Sequence, residues 1–476
     1  MYLKPGCGPP FVRYICSSYG CWVGVFQLAV DMVVRNGKVY TPYGFYEGSV
    51  VIDEGKVVSL MKGTTPEADE VINAGGLHVL PGMIDMHCHF RDPGFTERED
   101  FETGTRAAAA GGVTTAVDMP NTVPSVTSLE ALEEKIKIAD AKALVDYALI
   151  GGAGEVSAEA LRGLAAGGVI AFKTFMIARF KELAASDAWM LDNFKVLGEL
   201  GLPCLIHAEN QSIVESGMEK AIASGRVDPI AHCEFRPAIA ETEATMRTII
   251  LAGETGVHLH ICHMTTKGAV EALAWAQSTG RCVTGETSPN YLLMTEEDMK
   301  TKGPYAKIDP PLRKAEDQNA LWKAVNDGTI SVLASDHAPY PKSEKERGWK
   351  NIFDAPSGGV GVQTSLPLML NKVNEGRISL ERLVEIFSLN PAKLLKLYPR
   401  KGVLMPGSDA DLVIVDLEKG FEIREEDLYS KERASAFAGQ KGKGMPVTTI
   451  VRGKAIMKDG EILGKPGYGV YLRPCR

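Results

Sequence analysis

Two histidines one residue apart, His87 and His89, close the apolar run in "PGMIDMHCHFRDPGF". Alternate residues of a strand point to the same side, so both imidazoles can face one point. Neutral imidazoles with a carboxylate suit zinc and similar divalent ions. Four later apolar runs also end in chemistry: Lys173 in "VIAFKTFM", His207 in "CLIHAEN", His263 in "HLHICHMTT" and Asp336 in "VLASDHAP". Lys173 is the odd member, because a buried ammonium beside cations is repelled and desolvated. A neutral lysine amine can instead add carbon dioxide. The resulting carbamate is an anion with two oxygens, able to bridge two metals. Water held between those metals would deprotonate near neutral pH and act as nucleophile. Each residue alone has a blander reading: a satisfied strand-end histidine, a snorkelling lysine, an aspartate capping a turn. Their ordered recurrence at strand ends points instead to metal-dependent hydrolysis. His258 and His260 read as structural, and His78 and His232 as solvated.

Something must bring those strand ends together. Short apolar runs fall at 79–86, 113–118, 144–150, 168–173, 203–207, 257–263, 281–285 and 330–335. Helix-length segments such as "SLEALEEKIKIADAKAL" and "TKGAVEALAWAQSTG" separate them. Eight strand–helix repeats over 79–397 predict an α/β fold of the (β/α)8 TIM barrel type. Barrel active sites lie at the C-terminal ends of the strands, where all six residues fall. A doubly wound sheet is the competitor, but it usually carries a glycine-rich phosphate loop after its first strand, and this chain has none. Segments 32–78 and 398–476 share a different texture of short strands and Asn-Gly or Glu-Gly reversals, which predicts one small β domain built from both ends. Residues 1–31 form an extension of undefined structure. Its "CWVGVFQLAV" could pass for a signal-peptide core, but it runs into strand-like sequence without a cleavage region. The start could equally be Met32.

The net charge of -8 gives no electrostatic footprint for nucleic acid or an anionic membrane. No apolar run reaches the roughly 20 residues that cross a bilayer. Nine scattered cysteines without a CxxC pair read as reduced thiols, which predicts a cytoplasmic protein. Cys7, Cys16 and Cys21 crowd the N-terminus, where a local staple or metal knot would fit.

From about Met32 onward the chain resembles the cyclic amidohydrolases, namely dihydroorotases, allantoinases and hydantoinases or dihydropyrimidinases. The resemblance rests on "GMIDMHCHFRDPG", "FKTFM", "IHAEN", "HICHMTT", "PPLR" and "SDHAPY". It implies a binuclear metal barrel with a β-sandwich from both termini and a homo-oligomer, dimer or tetramer. It also implies a carboxylated Lys173 bridging two divalent ions, zinc foremost and manganese or cobalt as alternatives. His87, His89, His207, His263 and Asp336 would complete the ligands, and Asp336 would also be the general base. "FRDPGFTERED" and "MPNT" look like dihydroorotase, whose matching arginine and asparagine hold the substrate carboxylate. That assigns Arg91 and Asn121 to an acid. Three further substrate positions depart from that pattern: Tyr340 where histidine follows DHAP, Asn290 in "SPNY", and Asp309 in "IDPPLR". The segment "HAENQSIVESG…DPIAHCEFRPAIAETEATMR" is closer to hydantoinase and allantoinase. The expected activity is opening of a small cyclic amide, dihydroorotate to N-carbamoyl-aspartate in pyrimidine biosynthesis, with allantoinase or hydantoinase as alternatives. A non-catalytic scaffold is the rival from another class, but such relatives generally lose ligands.

Overall fold

The computed structural model describes residues 29–475, and before them the backbone pairing of Cys16–Ser17 with Gly20–Cys21. The rest of the N-terminal extension, including Cys7 and most of the "CWVGVFQLAV" segment, lies outside the described residues.

The chain opens with β1 (Val30–Thr41), β2 (Gly44–Asp53), β3 (Lys56–Met61), β4 (Ala68–Asn73) and β5 (His78–Pro81). The barrel strands follow: β6 (Met83–Cys88), β7 (Val113–Asp118), β8 (Asp146–Gly152), β9 (Ala171–Phe175), β10 (Cys204–His207), β11 (Leu259–Ile261), β12 (Val283–Thr287) and β13 (Val332–Leu333). The last strands are β14 (Leu412–Glu422), β15 (Lys441–Val451), β16 (Lys454–Lys458) and β17 (Glu461–Ile462).

Strands β6 to β13 are neighbours in chain order and all parallel, as eight strand–helix repeats require. A parallel bridge between Cys88 and His337, with the His89 amide donating to the His337 carbonyl at 2.8 Å, brings the first strand against the eighth. Polar caps start the intervening helices. Asp100, Ser128, Ser157 and Thr266 each accept from the amide three residues on.

The remaining strands form a second sheet in the order β17-β16-β15-β14-β5-β1-β2-β3, with β4 on β1. Both chain ends contribute, as expected. The sheet is mostly antiparallel, but β1 pairs parallel with β4 and β5. The apolar run 79–86, which reads as one barrel strand, therefore divides. Val79–Pro81 pairs with β14, and the barrel begins at Met83. Gly82 is the joint. A Cβ there would lie 2.1 Å from Thr114 Oγ1, so the close crossing needs glycine.

A buried ionic knot fastens the two sheets. Lys401 donates to Asp146 at the foot of β8 and to Asp411, both at 2.6 Å, and lies 3.0 Å from Asp409. Arg452 reaches Asp146 at 3.0 Å. Burial opposes the Lys401 charge, but the three carboxylates outweigh it and hold its ammonium above the ordinary range. Asp146→Ala would leave Lys401 with a buried, partly uncompensated charge. We expect a loss of about 3–5 kcal/mol in chemical denaturation. A loss below about 1 kcal/mol, the scale of an exposed ion pair, would show that the knot is not what couples barrel to sheet.

Candidate active site

At the barrel mouth the Nε2 atoms of His87 and His89 each lie 3.4 Å from the same atom, Asp336 Oδ1. His87 and His89 leave β6 on one side of the strand, and Asp336 follows β13 by three residues. On the opposite side His207 Nδ1 lies 3.1 Å from His263 Nε2. The rings of His87 and His263, 5.4 Å apart, join the two pairs. Lys173 is fully buried within β9, where its Nζ lies 2.8 Å from Cys262 Sγ and over the Phe175 ring. Its charge depresses the basicity of all four histidines, which places it among them. The six residues singled out in the sequence therefore form one cluster.

The backbone supports this convergence at some cost. Arg91, His263 and Asp336 adopt φ of 62°, 33° and 51°, values uncommon outside glycine. Each costs on the order of 1–3 kcal/mol and persists because the surrounding packing fixes it.

The donor set fits divalent cations. Ligand atoms of His87, His89 and Asp336 all lie within 4.8 Å of one another. Burial lowers the basicity of His89, His207 and His263, which favours the neutral imidazole that a cation needs as ligand. Burial pulls His87 the same way, but Glu286 and then Asp336 outweigh it and lift it to about 10. That marks a strongly negative field at this corner. His89 Nδ1 and His263 Nδ1 are buried without hydrogen-bond partners. Among the described residues, His207 and His263 form no group of three with another histidine, cysteine or acid. Lys173 is the residue beside them that could supply a third ligand.

Residues not singled out in the sequence hold these groups in place. Glu286, one residue past the apolar run 281–285, accepts from His87 Nδ1, from His260 Nε2 at 3.2 Å and from the His263 amide at 3.3 Å. Glu209 accepts from His207 Nε2 at 2.7 Å and is itself gripped by both arms of Arg236. Burial opposes the Glu209 charge, but Arg236 and His207 keep it far below the ordinary carboxylate range. Glu286 and Glu209 had a legible signal, since each stands at a strand end. Arg236 had none, because its partners lie far off in sequence.

The expected substrate residues are more dispersed. Arg91 is 9% exposed, and its guanidinium donates to the Tyr340 hydroxyl at 3.3 Å. Tyr340 lies between two guanidiniums, Arg91 at 5.2 Å and Arg98 at 4.9 Å from its ring centroid. Arg98 is paired with Glu344, whereas among the described residues no carboxylate pairs with Arg91. Asn121 follows β7 with its buried Oδ1 unpartnered. Asn290 is half-buried in the short helix Pro289–Leu293. Asp309 is buried 3.0 Å from Arg236 Nη1 and 3.3 Å from His232 Nε2. His232, expected to be solvated, is instead buried and also bonds the Ile308 carbonyl at 2.9 Å. The physical reason is that its Nε2–H donates to the Ile308 carbonyl, with the Asp309 carboxylate beside it. His78 is half-buried.

Fold and cluster together describe a barrel whose mouth carries a donor set that could hold divalent cations. Residues 78–456 match the amidohydrolase family, and the chain belongs to it. Its relatives are cyclic amidohydrolases. It is 38% identical over 447 residues to an L-hydantoinase of Paenarthrobacter aurescens, covering 93% of this chain and 98% of that protein. It is 39% identical over 458 residues to an allantoinase of Rubrobacter xylanophilus, covering 94% and 98%. A dihydroorotase of Methanothermobacter thermautotrophicus is 36% identical over 426 residues, covering 89% and 94%. The solved L-hydantoinase (dihydropyrimidinase) from Arthrobacter aurescens superposes with a TM-score of 0.91 at 37% identity, covering 93% of this chain and 100% of that one. No described helix is long and apolar enough to cross a membrane.

Proposed function

We propose that this enzyme hydrolyses the C–N bond of a cyclic amide whose ring carries a carboxylate. The type reaction is the reversible opening of dihydroorotate to N-carbamoyl-aspartate. Arg91 carries the reading: a nearly buried guanidinium at the mouth, without an acidic partner among the described residues, matches a planar carboxylate.

His87, His89 and Asp336 would hold one divalent ion, and His207, His263 and Lys173 the other, zinc being the first choice. When bound, such ions polarise a carbonyl and make water nucleophilic near neutral pH. Lys173 takes part as its carbamate: the neutral amine forms an N–C bond to carbon dioxide and releases one proton. Asp336 Oδ1 accepts the proton of the attacking water and passes it to the ring nitrogen as the C–N bond breaks. Arg91 and the Asn121 amide nitrogen hold the substrate carboxylate, beside the Tyr340 hydroxyl. The unpartnered Asn121 Oδ1 is left to accept a ring N–H. Asn290 and Asp309 complete the proposed contacts. Arg236 Nη1 lies 3.0 Å from Asp309, which weakens its repulsion of an acidic ring.

A second reading, opening of a neutral hydantoin or allantoin ring, is favoured by the 38% and 39% identity to the hydantoinase and the allantoinase. Turnover of dihydroorotate, allantoin, hydantoin and dihydrouracil by zinc-, manganese- and cobalt-loaded enzyme separates the two. A charged hydrogen bond is worth about 1.5–3 kcal/mol, so Arg91→Ala should raise KM for dihydroorotate roughly 10–100-fold. KM for hydantoin should barely move. An unchanged KM for dihydroorotate rules out acid recognition. Absence of bound metal from every preparation would favour the scaffold.

A further inference from the structure

Glu286 makes three contacts and touches no expected substrate group. It lies near the end of β12, the seventh barrel strand, 1% exposed, and its carboxylate reaches histidines of the first and sixth strands. Its Oε1 takes the Nδ1 proton of His87 and the amide of His263. Its Oε2 takes His260 Nε2, and the other nitrogen of that ring faces Thr284 Oγ1 at 2.8 Å. His260 is thus anchored at both nitrogens and holds the carboxylate in a fixed plane.

The consequence for His87 is geometric. An imidazole whose Nδ1 donates to a carboxylate can offer a cation only Nε2, once that nitrogen has released its proton. His87 Nε2 is the atom that faces Asp336 Oδ1. His89 presents Nε2 to the same oxygen, yet its Nδ1 has no partner. One of the two neighbouring histidines is therefore oriented by a carboxylate, and the other by its backbone alone. The same carboxylate pins the amide of His263, whose residue stands in a strained conformation with φ of 33°.

We infer that Glu286 is a positioning residue for the metal centre: it sets the tautomer and ring plane of His87, ties His263 to the same point, and thereby sets metal affinity. The inference rests on the metal-dependent reading above.

The test compares wild type, Glu286→Ala and Glu286→Gln. The readouts are zinc dissociation by chelator competition, the visible absorption of the cobalt-loaded protein, and thermal melting of the metal-free protein. Loss of a carboxylate behind a ligating histidine typically weakens metal binding about 10–100-fold. Glu286→Ala should show that loss and a shifted cobalt spectrum. Glu286→Gln keeps an acceptor oxygen but not the charge, and should fall several-fold short of wild type, between the two. If the alanine variant does not fold, the glutamine variant alone decides. Lower melting with wild-type zinc affinity and an unchanged cobalt spectrum would overturn the inference and leave Glu286 a packing carboxylate. A wild type that binds neither ion would overturn the metal-dependent reading itself, and this inference with it.

Discussion

Lys173→Ala should reduce turnover to background while leaving the protein folded. The lysine is fully buried in β9, and its charge depresses four histidines around it. An ammonium there would repel cations held by the histidines, which supports the proposed carbamate. Metal activation of water is worth several kcal/mol, which corresponds to a fall of about 10³–10⁴-fold in kcat. Metal content should drop together with activity, because His207 and His263 then lack a third ligand of their own. Small carboxylates such as acetate or propionate should restore part of both, since truncation leaves a space into which a two-oxygen anion fits. Intact wild-type protein should also be heavier than its sequence by one carbon dioxide. Lys173→Ala with full activity, or with lost activity and full metal content, would contradict the carbamate assignment.

Much of this site is legible in the sequence, because strand ends of a barrel are a one-dimensional signal. His87, His89, Lys173, His207, His263 and Asp336 each interrupt or follow an apolar run, and chain order alone places them on one rim. Boundaries are less legible. The run 113–118 coincides with β7, but the runs at 257–263 and 330–335 narrow to Leu259–Ile261 and Val332–Leu333. Apolar residues continue past a strand when the following loop is also buried. The run at 281–285 is shifted the other way, to Val283–Thr287, and that shift brings Glu286 inside a strand. Pairings across long sequence gaps are not legible. Arg236 with Glu209 and Asp309, Lys401 with Asp146, and β5 with β14 depend on which surfaces the fold brings together. His232 shows the same limit: its burial involves the Ile308–Asp309 segment laid against it, which lies far off in sequence.

Asp336→Asn tests the proton path with little disturbance of the fold. Asp336 adopts φ of 51°, a conformation that asparagine tolerates far better than most residues. The substitution also keeps an oxygen where Oδ1 faces His87 and His89, so metal binding should weaken without disappearing. What is lost is the group that takes a proton from water and gives it to the ring nitrogen. General acid–base catalysis of this kind is worth about 10²–10⁴-fold, and kcat should fall by that factor at saturating substrate. KM should change little, because the proposed substrate contacts, Arg91 and Asn121, are separate from Asp336. Rescue gives the sharper distinction. Small carboxylates should not restore the rate of Asp336→Asn, in contrast to Lys173→Ala. An Asp336→Asn enzyme that retains wild-type kcat would move the proton transfer to another group.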